Sequence, residues 1–532
     1  MKDPSFEPLA HYFIEGVKYT AADLMTARLM AVSDRDAADA SRPAQAIIDA
    51  LCAYRFVSSP GAKGSMALSR TDDGCYRFNF VGIIMVRDCV FYVFPKFVTP
   101  DIDGKFVAPD DTARARMAML VSVCERYRRR VGLGTMDVDG AIDPTAPARE
   151  SMADLYRALL VDYLRDGTYH ARKRTWTRDG TGEIDWERTM GCTDPLVNEN
   201  GEPAYASTWT RQRAVDDEAI VKRIQQAYVA QGAQWFDRAR MLTDVLRLPR
   251  QLCDISRQAP ADIMDRARMR ATLARARHQE FSTRNRRLID LLLALTDQQP
   301  FGTLEQHHAV THLGTAPFAH VWEDICQDLF AINARRMRAM HERSRPTWSM
   351  DARLFGLDGS TTVRIDTPNP LRTDVICELE DGTIGVMDAK YYVPSFTRSV
   401  DHMGVVSCRI DGQPAQPALI KECLYQLLAE TSYAGHGRTV RFNAFLLPTP
   451  GTIRDKSVEP YAHVRGSIEL DFLTPISLHN TWHPGDRKTG FLPILYCQID
   501  PWAAFSAYTG LFLGDNGTFD KDAAIRALLN GA

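Results

Sequence analysis

Asp374, Asp388 and Lys390 stand close together in the stretch LRTDVICELEDGTIGVMDAKYY, Leu371 to Tyr392. It reads as two short strands joined at Asp381-Gly382, since glycine accepts the positive φ of a tight turn. Strand side chains alternate, so Asp374, Ile376 and Glu378 share one face of the first strand. Val386, Asp388, Lys390 and Tyr392 share one face of the second. Asp and Lys are depleted from strand centres, and burying them unpaired is costly. A hard divalent cation gives the set a purpose. Mg²⁺ binds through a few carboxylate oxygens, water and substrate phosphate. Asp374 and Asp388 could hold the ion, with the Ala389 carbonyl as a third oxygen. Lys390 could orient or deprotonate an attacking water, or offset charge in a phosphoryl transition state. The bland alternative is an exposed hairpin with a surface ion pair. The full pattern, with its apolar run ahead of Asp-Ala-Lys-Tyr-Tyr, favours the chemical reading.

The elements on either side supply candidates to complete this set. Pro317 to Phe330 has an apolar stripe of Phe318, Val321, Trp322, Ile325 and Leu329 at helical spacing. Glu323 lies at the edge of that face, where a third carboxylate could complete or tune a metal site. Its alternative is an ordinary helix-surface residue beside Asp324. A second helix is expected over Pro417 to Ser432, with Leu419, Ile420, Cys423, Leu424, Leu427 and Leu428 inward. Gln426 on that helix could reach the site or substrate, or be plain surface. Val440 to Pro450 reads as a buried strand of the same sheet. Helix, hairpin, helix, strand is an α/β layout with the site on a sheet edge.

At 532 residues the chain is too long for one core. Three segments are expected: an α+β domain over 1–105, a largely helical region over 106–300, and an α/β domain over 301–532. The first holds a helix at Ala44 to Ala53 and a hairpin of Cys75 to Val86 with Cys89 to Phe97. Lys96 there reads chiefly as a strand end. Loops are expected at 58–64, 98–111 and 140–148. In the middle region Tyr169 to Met190 reads as strand, Gly-rich turn, strand. Arg172, Lys173, Arg174 and Arg178 alternate with aromatics there. Such a pattern suits contact with a DNA backbone, or equally a solvated charged strand. The many arginines between Arg266 and Arg287 read as wet helix surface.

Composition narrows the partners. A net charge of −3 gives no global signal for nucleic acid, though local arginine clusters can make a basic groove. No apolar run is long enough to span a bilayer, and the N-terminus lacks a signal-peptide pattern, so a cytoplasmic protein without a membrane partner is expected. The 11 scattered cysteines form no C-x-x-C pair and fit reduced thiols.

Several stretches together resemble the LlaJI-type restriction endonucleases, relatives of the McrC nuclease subunit within the PD-(D/E)XK superfamily. They are FVGIIMVRDCVFYVFPKF, GTGEIDWERTM, FAHVWEDICQDLF, the hairpin and KECLYQLLA. The resemblance implies a C-terminal PD-(D/E)XK domain, a mixed central sheet flanked by helices. It implies Mg²⁺-dependent cleavage of double-stranded DNA in a prokaryotic defence system, with Mn²⁺ able to substitute. Asp374, Asp388 and Lys390 correspond to its core, Glu323 to its acidic helix position and Gln426 to its helix glutamine. Asp374, Asp388 and Glu323 are then the metal set. Thr373 stands where the family usually has proline. That proline is not a ligand, so activity is still expected. A McrB-like AAA+ GTPase is the implied partner, and the chain has no G-x-x-x-x-G-K-[ST] loop of its own. Self-association on cleavage is a further expectation. A non-catalytic adaptor that regulates the motor, or a stand-alone site-specific nuclease, are the alternative readings.

Overall fold

The structure is a computed structural model of the chain. It describes residues 10–24, 37–56, 65–86, 89–98, 110–134, 151–216, 219–298, 310–315, 318–332, 348–355, 362–367, 373–392, 394–400, 406–410, 413–414, 422, 426, 429, 437–449, 462–468, 471–472, 492, 494–511 and 519–531. The loops expected at 58–64 and 140–148 and most of 98–111 and 417–432 lie outside the described residues. The protein is a mixed α/β chain of helices and several sheets. It forms two compact units, one of residues 150–307 with 1–8, the other of 9–149 with 308–532.

In the larger unit, four strands make one sheet: β1 (Ala10–Ile14), β2 (Val81–Val86), β3 (Cys89–Phe94) and β4 (Val310–Thr315). Their spatial order is β1-β3-β2-β4, with β1 parallel to β3 and the other pairs antiparallel. β2 and β3 are apolar runs because nearly all of their residues are buried. Phe13, Phe78, Phe80, Phe91 and Val93 form the core under this sheet with Ile47, Ile48 and Leu51 of the preceding helix.

Helix α1 (Asp110–Gly134) follows, and its basic C-terminal turns have partners within the unit. Arg126 reaches Asp328 at 3.0 Å and Arg130 reaches Asp324 at 3.4 Å, both acids on helix α2 (Ala319–Phe330). Arg126 also lies over the Tyr508 ring and Arg116 over the Trp502 ring. Those rings belong to α3 (Pro501–Thr509), whose N-cap is Asp500. Buried and half-buried guanidinium groups facing carboxylates and aromatic faces join three helices.

The second sheet carries β5 (Val375–Glu378), β6 (Ile384–Ala389), β7 (Val440–Pro448), β8 (Ala462–Ile468) and β9 (Ile494–Ile499). Its order is β5-β6-β7-β9-β8. β5 and β6 are the expected hairpin, antiparallel, with Gly382 in the turn at φ +79°. β6, β7 and β9 run parallel, which explains their continuous apolar sequences. β7 is buried from Phe442 onward, as its sequence indicates. α2 packs on this sheet, with Trp322 Nε1 donating to the Leu446 carbonyl at 3.2 Å.

In the smaller unit, helices Met152–Asp166, Ile220–Arg238, Arg266–Gln279 and Thr283–Gln298 accompany a three-stranded antiparallel sheet. Ser151 caps the first helix with a capping box. The strand Ala171–Arg178 forms as read, but its long partner is Trp209–Asp216 rather than the run up to Met190. Only Glu183–Ile184 extends as a strand. Trp186–Cys192 is a short helix, because Asp185 supplies its N-cap by accepting the Arg188 N–H. Arg270 and Arg277 pair with Asp297 and Asp290, consistent with a wet, ion-paired helix face.

Candidate active site

Asp374 sits one residue ahead of the edge strand β5, and Asp388 is the penultimate residue of β6. The register Val375↔Met387 continues to set Asp374 opposite Asp388. The two carboxyl groups lie within hydrogen-bonding reach of each other. Asp374 Oδ2 also accepts the Ala389 N–H at 2.9 Å, which ties the end of β6 to the start of β5. Lys390 follows directly. Its Nζ is 2.6 Å from Asp388 Oδ2 and 4.0 Å from Glu422 Oε1. The side chains of Asp388 and Lys390 are 18% and 21% exposed, so the pair is shielded from bulk water yet reachable. The Lys390 N–H donates to Leu446 O at 2.9 Å, anchoring this residue to β7 after β6 has ended.

The electrostatics follow from burial and crowding. Burial, then the Asp388 hydrogen bond and charge, then the charge of Glu323 push Asp374 well above the ordinary carboxylate range. Burial works against the Lys390 ammonium, but the charges of Asp388 and Glu422 more than offset it and raise its pKa. Burial also raises Glu422, against the lowering pull of Lys390.

Glu422 is the residue that sequence reasoning passed over. It was visible only as one polar member of a helix that also offers Lys421, Tyr425 and Gln426. The structure places it beside Lys390, and it accepts the Tyr392 hydroxyl at 3.3 Å. One helical turn on, Gln426 is buried and points elsewhere. Its Nε2 donates to the Val386 and Ala444 carbonyls at 3.3 and 3.4 Å, fastening its helix to β6 and β7. Glu323 stands on α2 near enough for its charge to act on Asp374. Its described contacts are His320 at 3.6 Å and Gln327 at 3.4 Å. Among the described residues, no group of three or more His, Cys, Asp or Glu side chains is gathered closely enough to hold an ion alone.

A hard cation nonetheless fits the pair. Two crowded carboxyl groups, one forced toward its neutral form by burial and then by the other, form a donor set that a divalent ion relieves. Mg²⁺ needs only one or two carboxylates and keeps several waters, so an all-protein cage is not required.

Among the residues offered for DNA contact, Arg178 is exposed and donates through Nε to Ser207 Oγ at 2.8 Å. Arg172, Lys173 and Arg174 lie on the same strand, paired in register with Val215, Ala214 and Arg213. Arg188 lies over both the Trp176 and the Trp209 ring, 5.1 and 4.9 Å from their centroids. Trp176, Trp186, Met190, Leu196 and Val197 are exposed nearby. Among the described residues no helix is long and apolar enough to cross a membrane.

Residues 80–500 match the LlaJI restriction endonuclease family, and the chain belongs to that family. It is similar to a refined half-complex from a tetradecameric assembly of Thermococcus gammatolerans McrB AAA+ hexamers with bound McrC. That likeness has 11% identity and a TM-score of 0.39, covering 98% of this chain and 99% of the other. It is also similar to a chain of the cryo-EM structure of the Thermococcus gammatolerans McrBC complex. There the identity is 10% and the TM-score 0.25, over 53% of this chain and 79% of that one. No curated protein matches the sequence.

Proposed function

We propose that this restriction-family chain is a Mg²⁺-dependent DNA endonuclease subunit whose hydrolytic centre is the β5–β6 edge. The supporting observation is the convergence of Asp374, Asp388 and Lys390, with Glu422 behind the lysine. Asp374 and Asp388 would hold the ion, which when bound polarises phosphate and water. Glu323 adds negative charge from α2 and completes the acidic side of the site. Lys390, held as a cation by two carboxylates, orients the attacking water or stabilises charge on the scissile phosphate. It does not act as a base while so paired. Gln426 positions the metal-bearing strand by gripping the Val386 carbonyl behind it. The layout favours a PD-(D/E)XK domain in the C-terminal part of the chain. Arg172, Lys173, Arg174 and Arg178 are proposed to track the DNA backbone. The resemblance of the chain's motifs to McrC-type sequences points to a McrB-like AAA+ GTPase as the motor.

The test is plasmid cleavage by the full chain with Mg²⁺, with and without the cognate motor. Asp388→Ala and Lys390→Ala should each lower the rate by about 10²–10⁴-fold. Undiminished cutting by both variants sinks the assignment. Cutting at a defined site without the motor would favour the stand-alone reading.

A further inference from the structure

Tyr391 adjoins Lys390 in sequence but belongs to a different set of contacts. Its hydroxyl donates to Glu15 Oε2 at 2.5 Å and accepts the Lys96 N–H at 3.3 Å. The Lys96 ammonium lies over its ring, 4.9 Å from the centroid. The ring packs on Phe318 of the turn before α2 at 5.5 Å and edge-on to Phe97 at 6.4 Å. Glu15 and Lys96 are 376 and 295 residues away along the chain. Both stand just past the ends of the parallel strands β1 and β3, and the Glu15 N–H donates to Phe94 O at 2.8 Å. The amino-terminal sheet therefore reaches the residue next to the candidate active-site lysine.

The consequence is geometric. β6 ends at Ala389, so Lys390 has left the strand, and a single described main-chain bond, to Leu446 O, holds its N–H. Successive side chains of extended backbone point to opposite sides. Lys390 turns to Asp388 and Glu422, and Tyr391 turns to Glu15 and Lys96. A ring packed by apolar contact alone could still tilt. Two hydrogen bonds on the hydroxyl fix its position, and with it the backbone on which the direction of Lys390 depends.

We propose that Tyr391, clamped by Glu15 and the Lys96 main chain, is a positioning residue for Lys390. The amino-terminal sheet is then a working part of the hydrolytic centre. This rests on the hydrolytic reading above, so the experiment separates the two. The full-length chain is assayed for plasmid cleavage with Mg²⁺ and the cognate motor, beside thermal unfolding of each variant. Asp388→Ala is the reference for the hydrolytic reading.

Tyr391→Phe should lower kcat about tenfold, with KM for DNA and the unfolding midpoint close to wild type. Glu15→Gln keeps an acceptor oxygen and should stay within about threefold of wild type, whereas Glu15→Leu should fall as far as Tyr391→Phe. The double variant Tyr391→Phe/Glu15→Leu should be no slower than either single change, since both break one interaction. Wild-type kcat in Tyr391→Phe, while Asp388→Ala is dead, overturns the clamp and leaves the hydrolytic reading standing. A loss expressed in KM instead of kcat also overturns it, since that marks a DNA contact. If Tyr391→Phe folds poorly, the Glu15→Gln and Glu15→Leu pair decides: equal rates overturn the clamp. Active Asp388→Ala removes the hydrolytic reading and the clamp's purpose together.

Discussion

Asp374→Asn separates the electrostatic cost of the paired carboxylates from their use. Asparagine keeps the size, keeps an acceptor for the Ala389 N–H and offers a donor toward Asp388. It removes the titratable group that burial and crowding force toward its neutral form. In the metal-free protein, burial and then Asp388 hold the Asp374 carboxyl well above its ordinary range. Holding a carboxyl neutral at pH 7, against an unfolded-state pKa near 3.9, costs at most about 4 kcal/mol. Relaxation and residual water reduce this, and we expect a gain of about 1–2 kcal/mol for the variant. The sign follows from counting protons. Above about pH 4 Asp374 binds more proton in the folded protein than in the unfolded chain, so its contribution to stability falls as pH rises. The advantage of Asp374→Asn is therefore absent near pH 4 and grows toward neutral and alkaline pH. Urea unfolding in EDTA near pH 5 and near pH 8, followed by fluorescence, measures it. Added Mn²⁺ at a hundredfold excess over Kd should stabilise wild type by about 2.7 kcal/mol, and the variant hardly at all. Equal stabilities in EDTA near pH 8, or an undiminished Mn²⁺ effect in the variant, would refute the reasoning.

Two more changes probe the scaffold, beside the cleavage tests set out above. Gln426→Ala takes two donors from the Val386 and Ala444 carbonyls and leaves a cavity. It should destabilise by about 2–3 kcal/mol in urea while Mn²⁺ still stabilises the protein. A large loss of cleavage without that destabilisation would instead place Gln426 in the chemistry. Gly82→Ala puts a Cβ 2.2 Å from Leu313 O at φ +131°. It should cost about 2–4 kcal/mol by forcing β2 from β4, read as a lower unfolding midpoint. An unchanged midpoint would contradict the close strand approach.

Much of the candidate site was legible because its signals are local. Asp381-Gly382 announces the hairpin, and alternation along two short strands then sets Asp374 against Asp388 and Lys390 on the same side. The helix carrying Glu323 declares itself by its stripe. Glu422 was hidden because helical spacing offers several polar residues and gives no means to choose among them. Glu15 and Lys96 were hidden for a stronger reason, since no pattern within either stretch refers to Tyr391. The pairing of Ala171–Arg178 with Trp209–Asp216 was missed for a related cause. The glycines at 180 and 182 suggested a tight return, while the Asp185 cap starts a helix there instead. The arginines of α1 carry no mark of their partners, which lie on α2 and α3.

The sheet that ends at Glu15 and Lys96 also imposes an order on biosynthesis. β2 is an apolar strand whose antiparallel neighbour β4 lies roughly 220 residues further along the chain. The whole smaller unit leaves the ribosome between the two. At about 5–20 residues per second, that edge waits on the order of ten seconds or more for its mate. An unpaired hydrophobic edge is a template for intermolecular pairing, so nascent chains of this protein are open to aggregation and to chaperone capture. The same delay has a protective side. The hairpin of Asp374 and Asp388 is translated after β4, so a truncated product that stops before it lacks both acids of the proposed centre.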